Sequence, residues 1–211
     1  MATGSDTQAG LGLYDLRGTG AWSQGLLCAQ AAICALAVTI ALLAGPGFMD
    51  EASGSMPYAL VSLGQAVIFI AGAIVFLRWT YCASANVHRI GAQGLGPSPG
   101  WAVGWYFVPI ACLGMPFVAM KEIWKASIEP RDWEIVKSTP LLGWWWTFWI
   151  FSNLTGLVAF RLESEETSTE VMSYVETLTI VSDATFVPAS LLLAAIVGRI
   201  TVRQSVYLPG E

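Results

Sequence analysis

Apolar residues run with little interruption through four stretches of the chain, 24–44, 57–77, 141–160 and 176–198. Each is close to the roughly 20 residues an α-helix needs to cross a hydrocarbon core, and the pattern predicts four spanning helices. A fifth run, 101–120, is as apolar but contains Gly104, Pro109, Gly114 and Pro116. In hydrocarbon, these residues break intrahelical hydrogen bonds that only neighbouring groups can replace. Hydropathy alone does not decide whether this run crosses.

The distribution of charge does. If 101–120 stays on one side and the N-terminus is cytoplasmic, the inner segments are 1–23, 78–140 and 199–211. They hold nine of the ten basic residues, leaving Arg161 alone outside, as the positive-inside rule requires. If 101–120 crosses, the inner count falls to Arg17, Arg78, Arg89 and Arg161, which is no bias. With 101–120 on one side, the acidic residues Asp50, Glu51, Glu163, Glu165, Glu166, Glu170 and Glu176 fall outside, and most tryptophans gather near the inner boundary as an interfacial belt. The expected fold is therefore an all-α integral membrane protein of four transmembrane helices, with a Pro/Gly-broken re-entrant or interfacial segment on the cytoplasmic side. It would sit in a bacterial inner membrane with both termini cytoplasmic. Residues 1–20 are expected to be a flexible tail, 21–204 a single membrane domain with a cytoplasmic amphipathic stretch at 121–137, and 205–211 a second tail. The first apolar run is too long for the core of a cleaved leader, and its polar lead-in carries only Arg17.

Composition agrees and narrows the chemistry. Hydrophobic residues make up 55% of the chain and charged residues only 12%, against about 25% charged in soluble proteins, so the chain has too little polar surface to solvate itself. Ten tryptophans and a mean hydropathy of +0.60 point the same way. A net charge of -5 leaves no basic footprint for nucleic acid. Cys28, Cys34, Cys82 and Cys112 form no metal-ligand spacing, and one histidine excludes a bis-histidine haem. No metal, cofactor or catalytic constellation is expected.

The segment 78–127 carries the most specific pattern: Arg78 to Asn86, then Ser98-Pro99-Gly100-Trp101, Gly104 to Pro109, and Met120 to Ser127, with Arg199 to Gln204 near the end of the chain. These stretches resemble the bacterial membrane family called domain of unknown function 4328. The resemblance implies a multi-pass bacterial membrane protein and no particular activity. Cys82, Ala85, Cys112 and Met115 depart from the more basic and polar residues of that pattern, which argues against a strongly basic pocket.

Two groups of residues are candidate sites. Arg78, Trp79, His88, Arg89, Trp101, Trp105, Lys121, Trp124 and Lys125 are expected to form an aromatic and basic platform at the cytoplasmic leaflet, binding anionic headgroups or an acidic partner; the competing reading is ordinary snorkelling at helix ends. Counting about 1.5 Å per residue from the predicted outer helix ends puts Gln65, Asn153 and Asp183 at one depth, roughly 10 to 12 Å, with Thr39 near it. This intramembrane polar layer is either a cation or proton site or a structural clamp. The function expected first is a noncatalytic accessory, scaffold or lipid-interacting protein, with membrane lipids, other membrane subunits or a second copy as partners. The alternative is a small transporter or channel-like protein built on Asp183.

Overall fold

The computed structural model describes residues 12–45, 56–165 and 168–208. Much of the predicted N-terminal tail, together with Asp50, Glu51, Glu166 and residues 209–211, lies outside them. All regular structure among the described residues is helical. The long helices are α1 (Arg17–Ala44), α2 (Met56–Ile90), α5 (Pro140–Glu165) and α6 (Thr169–Ser205), with two short ones, α3 (Pro99–Gly104) and α4 (Met115–Ala126), between α2 and α5. Three stretches are long and apolar enough to cross a membrane: α1, the Leu63–Ile90 part of α2, and α6.

The helix ends follow from local chemistry. Gly45 ends α1 in the left-handed region, φ 86°, its N–H bonded to the Ala41 carbonyl at 3.1 Å. Gly91 ends α2 at φ 105°: its own N–H reaches His88 and that of Ala92 reaches Val87. This is the Schellman pattern of bonds, completed by contact-ready apolar residues at Val87 and Ala92, both buried. Ser98 caps α3 through Trp101 N–H, with Pro99 following in the first turn. Proline at 116 likewise opens α4, and Pro140 opens α5.

The apolar run 101–120 breaks into pieces as its prolines and glycines predict. After α3 come two single 3-10 turns, Trp105–Phe107 and Ala111–Leu113, and then α4. None approaches the roughly 20 residues of a spanning helix. Between the turns, Ile110 takes φ 68°, ψ -50°, and the Ala111 N–H bonds to the Pro109 carbonyl at 2.8 Å. That is a γ-turn in its strained form, unusual for a β-branched residue.

The described residues group into two compact units. One comprises the described parts of Met1–Gly25, Ala73–Leu142 and Ala194–Glu211; the other comprises those of Leu26–Gly72 and Gly143–Leu193. The first has a mixed core. Trp79, Met120, Trp124, Ile196 and Ile200 are buried alongside Asn86, Ser127 and Gln204. The Asn86 amide bonds Tyr14 in both directions at 2.8 Å and also donates to Gln204 Oε1 at 3.0 Å. Gln204 Nε2 then donates to Ser127 Oγ at 2.9 Å and to the Ala83 carbonyl at 3.2 Å. Residues 12–16, read from sequence as part of the tail, are thus held by Asn86, and Leu16 is buried.

In the second unit, α5 and α6 are tied by paired serines. Ser152 Oγ donates to the Ser182 carbonyl at 3.0 Å and Ser182 Oγ donates to the Ser152 carbonyl at 2.9 Å. Gly156 permits this approach, since a Cβ there would lie 3.0 Å from Ser182 Oγ.

Candidate functional site

The same unit contains an open cavity of about 570 Å³. Four helices line it, each through residues one helical turn apart: Gln30 and Cys34 on α1, Gln65 and Phe69 on α2, Ser152 and Gly156 on α5, Ser182 and Phe186 on α6, with Asn153 and Asp183 beside them. Residues at i and i+4 share a helix face, so each helix turns one polar position and one neighbour toward a common space.

The polar groups in this space are arranged around Cys34. Gln30 Nε2 lies 3.9 Å and Gln65 Nε2 3.7 Å from its sulfur, and the Asp183 carboxyl is near enough to the same thiol to interact with it electrostatically. Gln30 is only 6% exposed, and its Oε1 is buried without a hydrogen-bond partner among the described residues. A buried amide oxygen left unpaired costs about 1–3 kcal/mol. Its placement at a cavity beside a carboxyl is the mark of a position that expects a donor.

Of the predicted polar layer, Gln65, Asn153 and Asp183 do line this cavity. Thr39 does not: it is exposed, and its hydroxyl is returned to the Ala35 carbonyl one turn back, at 2.7 Å. Asn153 spends an amide hydrogen in the same way on Trp149, at 2.7 Å. Gln30, Cys34, Ser152 and Ser182 were not anticipated as part of the layer. The available signal was the i, i+4 spacing of Gln30 and Cys34 within an otherwise apolar run.

The predicted aromatic and basic platform divides. Trp79 is fully buried, its Nε1 donating to Thr201 Oγ1 at 3.0 Å, and Trp124 is buried with the Arg203 guanidinium 4.1 Å over its ring. Both are core residues, because an indole whose N–H finds an acceptor or whose face finds a cation packs as readily inside as at an interface. Trp101 is 52% exposed and Trp105 half-buried, with ring centroids 4.6 Å apart. Arg89 is exposed but lies 4.5 Å over Tyr14 and donates to the Gly12 carbonyl. Lys125 donates to the Glu134 carbonyl at 2.9 Å and faces Trp133. His88 Nδ1 lies 2.8 Å from the Ser84 carbonyl. Arg78 is exposed and Lys121 half-buried. Beside them, Glu122 accepts from the Gly96 N–H at 2.9 Å, and burial pushes its carboxyl above the ordinary range.

A family model described as "Domain of unknown function (DUF4328)" matches residues 51–202. The chain belongs to this family. No curated protein and no solved structure matches the chain. The DUF4328 match takes in the groove residues of α2, α5 and α6, Asp183 among them, while Gln30 and Cys34 on α1 precede it. It also takes in Trp79 and Thr201, so part of the DUF4328 sequence pattern lies in the core of the first unit.

Proposed function

We propose that this chain is a noncatalytic four-span protein of a bacterial cytoplasmic membrane that receives a small ligand in the groove around Asp183, as a carrier or channel-like protein would. The observation that carries this reading is one cavity lined by polar groups from α1, α2, α5 and α6, with the Asp183 carboxyl among them. An ionised carboxyl held away from water is costly unless a partner shares its site, and intramembrane acids characteristically mark ligand or ion pathways.

The fourth span is α5, whose 26 residues give about 39 Å of helix. Its first turns carry Trp144, Trp145, Trp146 and Trp149, residues suited to the headgroup level. With both termini cytoplasmic, nine of ten basic residues face inward, and the broken 101–120 segment lies at or dips into the cytoplasmic interface. Reporter fusions at residues 54, 138 and 167 test this arrangement: 138 should report cytoplasmic and the others external, and an external 138 overturns it. The site itself is tested in purified protein, where Asp183→Asn should abolish ligand-induced thermal stabilisation while Thr39→Val leaves it intact.

A second reading, an accessory or lipid-interacting role with lipids or other membrane subunits as partners, is favoured by one observation. Trp101, Phe107 and Ile110 are 52%, 72% and 85% exposed along the broken segment. Vesicle binding that depends on anionic lipid and on Trp101 supports it; loss of neither with Trp101→Ala argues against it.

A further inference from the structure

We infer that the groove selects a small organic cation, an ammonium group carrying an apolar body, over an inorganic ion or an anion. The inference rests on the reading of the groove as a ligand site and adds the class of ligand. Volume comes first. About 570 Å³ is many times the roughly 30 Å³ share of a single water and falls in the range of small-molecule sites. A bare ion there would keep its water. Among the described residues no group of three or more His, Cys, Asp or Glu stands ready to hold a metal.

The polarity of the lining is one-sided. Gln30 and Gln65 both direct an amide nitrogen at the Cys34 sulfur, and the Gln30 oxygen is buried with no hydrogen-bond partner among the described residues. Ser152 and Ser182 commit their hydroxyl hydrogens to each other's carbonyls, so what those hydroxyls still offer are lone pairs. Together with the Asp183 carboxyl this is a set of acceptors, which an N–H donor of positive charge satisfies and an anion does not. Arg161 is the only Lys or Arg of this unit. It lies two turns beyond Asn153, about 12 Å along the α5 axis, so no Lys or Arg of this unit's described residues stands beside the carboxyl.

One turn along α2 and α6 from Gln65 and Ser182 the lining is aromatic. Phe69 and Phe186 line the cavity with ring centroids 6.4 Å apart and planes at 53°. Ring faces attract ammonium groups and bury an apolar body at the same time. A ligand with its ammonium on Asp183 and Gln30 and its apolar part against these rings meets every feature of the lining.

Calorimetric titration of the full-length chain in nanodiscs tests this with methylamine, octylamine and 2-phenylethylamine against 2-phenylethanol, 3-phenylpropionate, sodium and potassium. The amines with apolar bodies should bind at least tenfold more tightly than methylamine and the neutral alcohol, and the anion should not bind. Asp183→Asn and Gln30→Met should each weaken amine binding by about tenfold to a hundredfold, the range set by charged and buried hydrogen bonds. Circular dichroism and monodispersity establish that each variant is folded; if Asp183→Asn is not, Gln30→Met decides. Binding of sodium or potassium that depends on Asp183, without amine binding, overturns the inference and leaves the ligand site standing. No binding of any probe, with Asp183→Asn altering only stability, overturns both.

Discussion

Ser152 and Ser182 exchange hydrogen bonds, each hydroxyl donating to the other's carbonyl at 3.0 and 2.9 Å. This pair fixes the register of α5 against α6 and thereby sets Asn153 beside Asp183 at the cavity. Side-chain hydrogen bonds between membrane helices average about 0.6 kcal/mol with a maximum near 1.7. Ser152→Ala and Ser182→Ala should therefore each lower stability by about that amount, and the double variant by less than the sum because the two bonds share one geometry. Gly156→Ala should cost at least as much, since its Cβ would meet Ser182 Oγ at 3.0 Å. Thermal unfolding in detergent reads all four; strict additivity of the serine changes contradicts the coupling.

Trp79 and Thr201 make the second contact open to test. Thr201→Val keeps the shape and removes the acceptor of a buried indole N–H, which should cost about 1–3 kcal/mol. Gly20→Ala should be comparably damaging, because a Cβ at Gly20 would come within 2.6 Å of Thr201 Oγ1. An unchanged midpoint for Thr201→Val would mean the indole has another partner.

Asn86 holds residues 12–16 by its two bonds to Tyr14. Asn86→Ala should raise amide hydrogen exchange there by tenfold or more while leaving exchange in the middle of α5 unchanged, a local opening rather than global loss. Exchange in 12–16 as slow as in the parent contradicts this.

Glu122 predicts a pH effect of definite sign. Burial raises its carboxyl above the ordinary value of 4.5, against the lowering effects of the Gly96 N–H, His88 and Lys125. The folded chain then holds this proton more readily than the unfolded chain. Its contribution is fully present below 4.5 and lost as pH rises through the raised folded value. Glu122→Gln keeps an oxygen for Gly96 and has no charge to bury. The variant and parent should have similar midpoints near pH 4, and the variant should gain on the parent as pH rises to 8. A difference that does not vary with pH contradicts the assignment.

The helix ends at Ala44, Met56 and Pro140 were legible to within a residue, because glycine or proline marks each one. The extension of α2 from 77 to Ile90 was not. Apolar character stops at Arg78, yet Thr80, Ser84 and Asn86 turn inward and are buried, and a polar side chain that finds its partner inside gives no hydrophobic signal. The same is true of Gln204 and Thr201, whose stretch was recognisable as a family pattern without revealing that it is internal packing.

The polar layer was half legible for a reason of length. Hydropathy starts α6 at 176, whereas the helix begins at Thr169, so Asp183 stands about 21 Å rather than about 10 Å from its helix end. That shift aligns it with Gln30 and Cys34 on α1 and leaves Thr39 outside. Polar caps of spanning helices, such as the Thr169 to Glu176 turns, are helical without being apolar, and hydropathy truncates them.

Infrared difference spectroscopy of the full-length protein in nanodiscs, with and without 2-phenylethylammonium or sodium, reads directly whether Asp183 is the carboxyl of a cation site. A carboxyl-region difference band should appear on addition of one of these cations, vanish in Asp183→Asn and persist in Thr39→Val. No band with either cation, or a band that survives Asp183→Asn, would contradict that role for Asp183.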